Sequence, residues 1–263
     1  MIGAHPDDCD ILAGGIAIKY SKLGHTVKFI SATNGDTGHY EKGGGQLAVI
    51  RAKEAADAGK VAGIEYEVLD IHNNGIEADI HTRERMISII REFMPDVVFT
   101  HRPYDYHPDH RMTSMLVQDS SYALIIPNVC PLTPPLKHMP VIMYLSDLFI
   151  RPYEFTPDIV VNIDDVSENK VWMIGCHKSQ VYEWLPWVDG KLEEVPEEDD
   201  ERTHWLGKKQ IERDGRTADR FRQQLIQKYG DEKANLIKAA EAFELCEYGR
   251  KPDVEEMQGL FPF

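Results

Sequence analysis

Residues 1–24 read MIGAHPDDCDILAGGIAIKYSKLG, and this stretch decides the fold. Met1-Ile2-Gly3-Ala4 is a short apolar run of the kind that ends a buried strand. Residues 11–23 carry apolar side chains at helical spacing, and Gly24 is a natural stop. His5 to Asp10 is therefore a strand-to-helix connection. Pro6 fixes its own φ and pushes His5 toward extended backbone, so the turn is largely preorganised. In open α/β sheets, sites lie just outside the carboxyl ends of the strands, where such connections sit. Taken alone, Asp7 or Asp8 reads most simply as the cap of the following helix.

A second segment changes that reading. Residues 96–101 (DVVFTH) have the pattern of a buried strand, 102–109 form a loop rich in Pro, Tyr and Asp, and His110 begins a helical stretch through Leu124. Two clusters, His5-Pro6-Asp7-Asp8 and His107-Pro108-Asp109-His110, thus follow the ends of two strands. Neighbouring side chains in such a turn point different ways, so His5 and Asp8 can converge on one ion while Asp7 faces water from another side. Neutral imidazole and carboxylate suit zinc and tolerate ferrous iron or manganese. The clusters supply enough donors for one ion and leave a carboxylate over. Hydrolysis needs such a base to take a proton from the attacking water. The pair reads as a catalytic metal site.

Along the rest of the chain, strands at 26–33, 65–71, 141–146 and 159–163 alternate with helices at 46–62, 82–93 and from 166 toward 180. That order predicts a Rossmann-like α/β three-layer sandwich, with a mostly parallel sheet and helices on both faces. One domain spanning residues 1–263 is expected, since the length suffices for one large core. No Gly-x-Gly-x-x-Gly follows the first strand, which argues against a dinucleotide cofactor. Gly43-Gly44-Gly45 reads as part of a long loop, either a hinge or plain flexibility.

Composition excludes some classes. Lys+Arg 29 against Asp+Glu 44 gives a formal net charge of −15, which argues against a nucleic-acid partner, because phosphate contacts need basic patches. No apolar stretch is long enough to span a bilayer, and the first residues lack the regions of a signal peptide. Cys9, Cys130, Cys176 and Cys246 are few and scattered, as expected of reduced thiols in a cytoplasm. Cys9 has no separate base nearby to make it a nucleophile. The first strand has only Met1 to Ala4 ahead of the turn, where strands commonly run about 5–6 residues. The native protein is therefore expected to carry a few further residues there.

Ala4-His5-Pro6-Asp7-Asp8 followed by His107-Pro108-Asp109-His110 resembles the PIG-L/LmbE-like N-acetylglucosaminyl deacetylases. Supporting matches are Thr33-Asn34-Gly35-Asp36, Arg51 with Glu54, His177-Lys178-Ser179-Gln180, and Ala240-Glu241-Ala242-Phe243 ahead of the final strand. The match runs from residue 1 to near 180 and resumes near 217. The resemblance implies a metal-dependent hydrolase that removes acetyl from the 2-amino group of a glucosamine unit in a small molecule or glycoconjugate. It implies His5, Asp8 and His110 as ligands of a zinc ion, with Fe2+ or Mn2+ as alternatives. Asp7 becomes the general base, and His107 the group that stabilises the oxyanion or protonates the leaving amine. Arg51, Asp36 and Asp105 are implied on the substrate side. Some relatives place a tyrosine two residues before the second cluster's first histidine; here that position is Asp105, with Tyr106 beside it, so that role is not carried over.

Residues 181–207 depart from the family pattern, as an insertion holding Trp184, Trp187 and Trp205 around the acidic run Glu193 to Glu201. The acidic run reads as solvated surface. The tryptophans are expected to pack against the domain or a neighbouring subunit, making a homo-oligomer an open expectation, rather than to stack on sugars. Two other functions stand beside the leading one: a metal hydrolase of a non-sugar amide or ester, and a non-catalytic binding protein with a structural metal. Asp7 argues against the second, since a structural site has no use for an unligated carboxylate.

Overall fold

A computed structural model describes all of residues 1–263. The strands are β1 (Ile2–Gly3), β2 (Lys28–Ser31), β3 (Glu65–Val68), β4 (Val97–Thr100), β5 (Val141–Leu145), β6 (Ile159–Asn162) and β7 (Ala240–Leu245). The helices are α1 (Asp8–Lys22), α2 (Gly44–Ala62), α3 (Ile80–Phe93), α4 (Pro108–Ser120), α5 (Ser167–Gly175), α6 (Leu185–Val188), α7 (Asp199–Arg220), α8 (Arg222–Tyr229), α9 (Asp231–Ala234) and α10 (Val254–Leu260). The strands form one seven-stranded sheet in the order β3-β2-β1-β4-β5-β7-β6. The β2–β3, β1–β4 and β4–β5 pairs are parallel, and β7 runs antiparallel to β5. This is the mostly parallel α/β architecture that the alternation predicts. The strand order reverses between β1 and β4, where Ile2 is paired with Thr100.

Contacts divide the chain into two compact units: residues 1, 3–74 and 160–242, and residues 2, 75–159 and 243–263. In the first, α1 packs on α5, which also contacts α2 and α7. Gly15 permits a close approach, because a Cβ there would lie 2.7 Å from Ile163 Cγ2. Lys170 is fully buried between Asp214 (2.9 Å) and Glu241 (2.8 Å), and Glu241 also accepts the N–H groups of Gly15 and Ile16. The second unit has a core in which Phe99 meets Phe243 edge-on at 4.9 Å, with Phe261 beside them. There α3 contributes Met86, Ile87 and Ile90, and its Arg91 donates to carbonyls that include those of Ala123, Leu124 and Ile126.

Several boundaries differ from expectation, each for a local reason. Gly44 and Gly45 are the first residues of α2, with Gly43 as its cap, rather than part of the loop. Helix α4 begins at Pro108, because proline suits the first helical turn, and His107 is its cap. The helix from 166 toward 180 stops at Gly175 and gives way to a wider π-turn at Ser179–Trp184. Ala240 to Phe243 lie within β7 rather than ahead of it. The acidic run ends inside α7, where Asp199, Asp200 and Glu201 occupy the first turn and complement the helix dipole. Trp205 packs beside Tyr182 at 6.3 Å, against the cluster of Val171, Ile174 and Leu206. Trp187 stacks on both Tyr40 (5.4 Å) and Trp184 (5.2 Å).

Candidate active site

The first cluster is not a helix cap. Asp7 stands at the N-cap position of α1, yet its side chain makes no capping bond. Asp8 turns one oxygen backwards, accepting the N–H groups of Ala4 (2.9 Å) and His5 (2.7 Å), which fixes the carboxylate beside the His5 ring at 3.5 Å from Nδ1. Asp7 itself has φ 138° and ψ −24°, a conformation rare for any residue with a side chain and costing on the order of 1–3 kcal/mol. Such strain persists only where the surroundings impose it.

Those surroundings are visible residue by residue. The Arg51 guanidinium lies 3.4 Å from Asp7 Oδ2 and donates through Nη2 to the Pro6 carbonyl at 2.5 Å. Gly35, with φ 69°, lies against it, and a Cβ there would come within 2.4 Å of Nη1. The backbone N–H of Asp7 donates to the Tyr66 hydroxyl at 3.2 Å, and that hydroxyl donates to Asp10 Oδ2 at 2.8 Å. Asp10 Oδ1 faces His177 Nε2 at 3.1 Å, and both side chains are fully buried. Burial would lower the His177 pKa, but the adjacent Asp10 carboxylate outweighs it and leaves the imidazole's pKa raised. Burial pushes the Asp7 carboxyl up to about 6, with Arg51 opposing and Asp8 adding to the rise. Burial also drives the Cys9 thiol far from a thiolate, in keeping with a packing role.

The neighbouring motifs support this turn. Glu54 accepts the N–H and hydroxyl of Ser179 (2.7 and 2.6 Å), and Gln180 donates to the Gly38 carbonyl at 3.0 Å. Asp36 accepts from the Asn73 N–H at 3.0 Å and meets His72 Nδ1 at 2.7 Å. Its carboxylate and the Arg51 guanidinium, both expected on the substrate side, are thus engaged in holding loops and Asp7.

In the second unit, Asp105 organises the other cluster. Its Oδ1 accepts the His107 N–H at 2.8 Å, and its Oδ2 lies 3.0 Å from His110 Nδ1. Burial alone would raise the Asp105 pKa, but the hydrogen bond and charge of His110 and the His107 N–H bring it below the ordinary value. A carboxylate on Nδ1 leaves Nε2 as the nitrogen for a metal, the arrangement common around ligating histidines. His107 is built the other way. Its Nδ1 accepts the Asp109 N–H at 3.2 Å, so in the neutral ring Nε2 carries the proton and is a donor. His101, at the end of the DVVFTH segment, stacks on His110 at 4.1 Å and 7°. The sequence signal for it is a histidine at a strand's carboxyl end. His177 is signalled only as part of the His177–Gln180 match, and Tyr66 and Asp10 not at all, since their meeting depends on three separate elements.

The chain is similar to several known proteins. The PIG-L family profile, described as GlcNAc-PI de-N-acetylase, matches residues 1–121. The diacetylchitobiose deacetylase of Thermococcus kodakarensis is 29% identical over 198 residues, covering 71% of this chain and 72% of that protein. A 4-oxalmesaconate hydratase of Pseudomonas putida is 26% identical over 196 residues, covering 70% and 74%. Among solved structures, the N,N'-diacetylchitobiose deacetylase of Pyrococcus horikoshii superimposes with a TM-score of 0.67 at 25% identity, covering 94% of this chain and 82% of that one.

Proposed function

For a chain whose residues 1–121 match the PIG-L profile, we propose a metal-dependent hydrolase that removes the N-acetyl group from an N-acetylglucosamine-containing small molecule or glycoconjugate and releases acetate. His5, Asp8 and His110 are the ligands in this reading, a set carried over from the family resemblance of the two His-Pro-Asp clusters. The donor chemistry fits: a carboxylate oriented by two backbone N–H groups, and an imidazole whose Nδ1 is turned to Asp105. Imidazole and carboxylate favour zinc, with Fe2+ or Mn2+ also served. Such an ion, when bound, lowers the pKa of water from about 15.7 toward roughly 7.

The chain's own residues do the rest. Asp7, strained and paired with Arg51, takes the proton from the attacking water. His107 presents its Nε2–H to the developing oxyanion, as a preorganised donor. The proton that Asp7 took then passes to the departing amine by way of His107, because an amide anion is a very poor leaving group. Asp105 acts through the two histidines it holds, and Asp36 and Arg51 through the loops and base they hold. The observation that carries the reading is Asp7: a carboxylate at a helix start that does not cap the helix. The substrate class rests on the deacetylase relatives. Four unpaired cysteines support a reducing, cytoplasmic setting, and no helix is long and apolar enough to cross a membrane.

The hydratase relative favours a second reading, in which the same base and acid add water to an unsaturated oxo-acid. The test is acetate release from a panel of N-acetylglucosaminides, with metal added or chelated, beside Asp7→Asn and a 4-oxalmesaconate assay. Metal-dependent acetate release that the substitution removes supports the deacetylase. Silence across the sugars with hydration of 4-oxalmesaconate overturns it.

A further inference from the structure

Asp10 and His177 are a fully buried ionisable pair with no task in the mechanism above. Their connections lead to one place. His177 faces Asp10 Oδ1; Asp10 Oδ2 takes the single hydroxyl proton of Tyr66; and the Tyr66 oxygen, its proton already given away, is left to accept the N–H of Asp7. A hydroxyl free to rotate could as easily donate as accept. With its proton fixed on a carboxylate, it can only receive. Asp10 is itself packed against His177 at 3.1 Å, both side chains fully buried, so the line is anchored at its buried end.

The target of that line is the one residue of the turn with an abnormal backbone. Asp7 lies at φ 138°, outside the region its side chain favours. Arg51 holds the preceding carbonyl, and Tyr66 holds the Asp7 N–H on the other flank. The three supporting side chains come from three places in the sequence: Asp10 from α1, Tyr66 from β3, and His177 from the segment after α5. The Tyr66 ring is separately fixed by edge contacts with Phe29 at 5.4 Å and His177 at 6.1 Å. Its packing and its hydroxyl therefore serve different ends, and one can be removed without the other.

We infer that Tyr66, Asp10 and His177 are positioning residues that brace the strained Asp7 backbone and thereby aim its carboxylate. This rests on Asp7 being the base, and the experiment separates the two claims. Tyr66→Phe keeps the ring and deletes the hydroxyl; Asp10→Asn is the second variant. For acetate release from an N-acetylglucosaminide by the metal-loaded enzyme, kcat falls tenfold or more in each, while KM stays within twofold and metal content is unchanged. In an Asp7→Asn background, Tyr66→Phe costs nothing further, because the brace has nothing left to aim. A kcat within twofold of the parent, or an equal loss in both backgrounds, overturns the inference. A parent that releases no acetate overturns the deacetylase reading instead. Crystal structures of the parent and Tyr66→Phe decide the brace without any turnover. Asp7 leaving its positive φ in the variant supports it, and an unchanged φ overturns it.

Discussion

Asp105 Oδ2 lies 3.0 Å from His110 Nδ1, while the other oxygen of the same carboxylate accepts the His107 N–H. One side chain thus orients the proposed ligand and the proposed acid together. Asp105→Ala is expected to weaken metal binding by roughly tenfold to a hundredfold, the usual cost of losing such a partner. Titration of the metal-free protein with zinc measures it. Unchanged affinity would mean that His110 needs no help to present Nε2.

His107 should behave differently from His110. Its Nδ1 is occupied by the Asp109 N–H, so it works through Nε2, as a hydrogen-bond donor and as the relay for the proton taken from water. His107→Ala is expected to lower kcat by about 10²–10⁴ with metal content intact, whereas His110→Ala loses the metal. An activated leaving group, such as an N-acetyl aniline, should suffer less from the His107 change than an N-acetyl sugar. Equal losses on both substrates would remove the acid role.

Asp7 gives a pH signature in the metal-free protein. Its carboxyl is pushed up to about 6 by burial, above its ordinary 3.8. A raised pKa means that the folded state holds the proton more tightly than the unfolded chain does. The stabilisation is therefore complete below about 3.8 and is lost as pH rises through about 6. Urea unfolding of the parent and Asp7→Asn between these limits isolates the effect. The variant should lack this slope, and identical pH profiles would show that Asp7 titrates normally.

Lys170 offers a test of stability alone. It is buried with Asp214 and Glu241 at 2.9 and 2.8 Å. Lys170→Met strands two carboxylates and is expected to cost about 3–5 kcal/mol, read from denaturant midpoints. A loss below about 1 kcal/mol would mean that the two acids escape the penalty of a broken buried ion pair by taking up protons.

Trp187 stacks between Tyr40 and Trp184. Removing one such ring partner is worth about 1 kcal/mol. Trp187→Ala should therefore speed amide exchange at residues 38–43 by roughly fivefold, since local opening follows local contacts. Exchange that is unchanged there would show that the ring does not hold this loop.

The sheet and both clusters are legible in the sequence because they are local: a strand end, a stiff turn and a helix start lie within one short stretch at His5 and again at His107. The chemistry around them is less so. Glu54 with Ser179 and Gln180 with Gly38 give those motifs a structural purpose, yet each pair joins residues far apart in sequence. Tyr66 in β3 gives no sign that its hydroxyl reaches Asp7, because strand periodicity reports which face a residue takes and not what it meets. The acidic run before Trp205 suggests surface; its position at the start of α7 depends on the amphipathic stretch that follows, which the charge obscures.

The place of β7 in the sheet bears on how the protein is made. The last strand in the chain lies between β5 and β6, and β6 has no other neighbour. During synthesis β6 leaves the ribosome long before its only partner, and β5 waits with one edge open. The sheet cannot close until residues 240–245 emerge. Completion is thus tied to the synthesis of residues 240–245, and open edges of this kind are what chaperones shield. Premature termination anywhere before β7 would leave an aggregation-prone fragment rather than a smaller working enzyme.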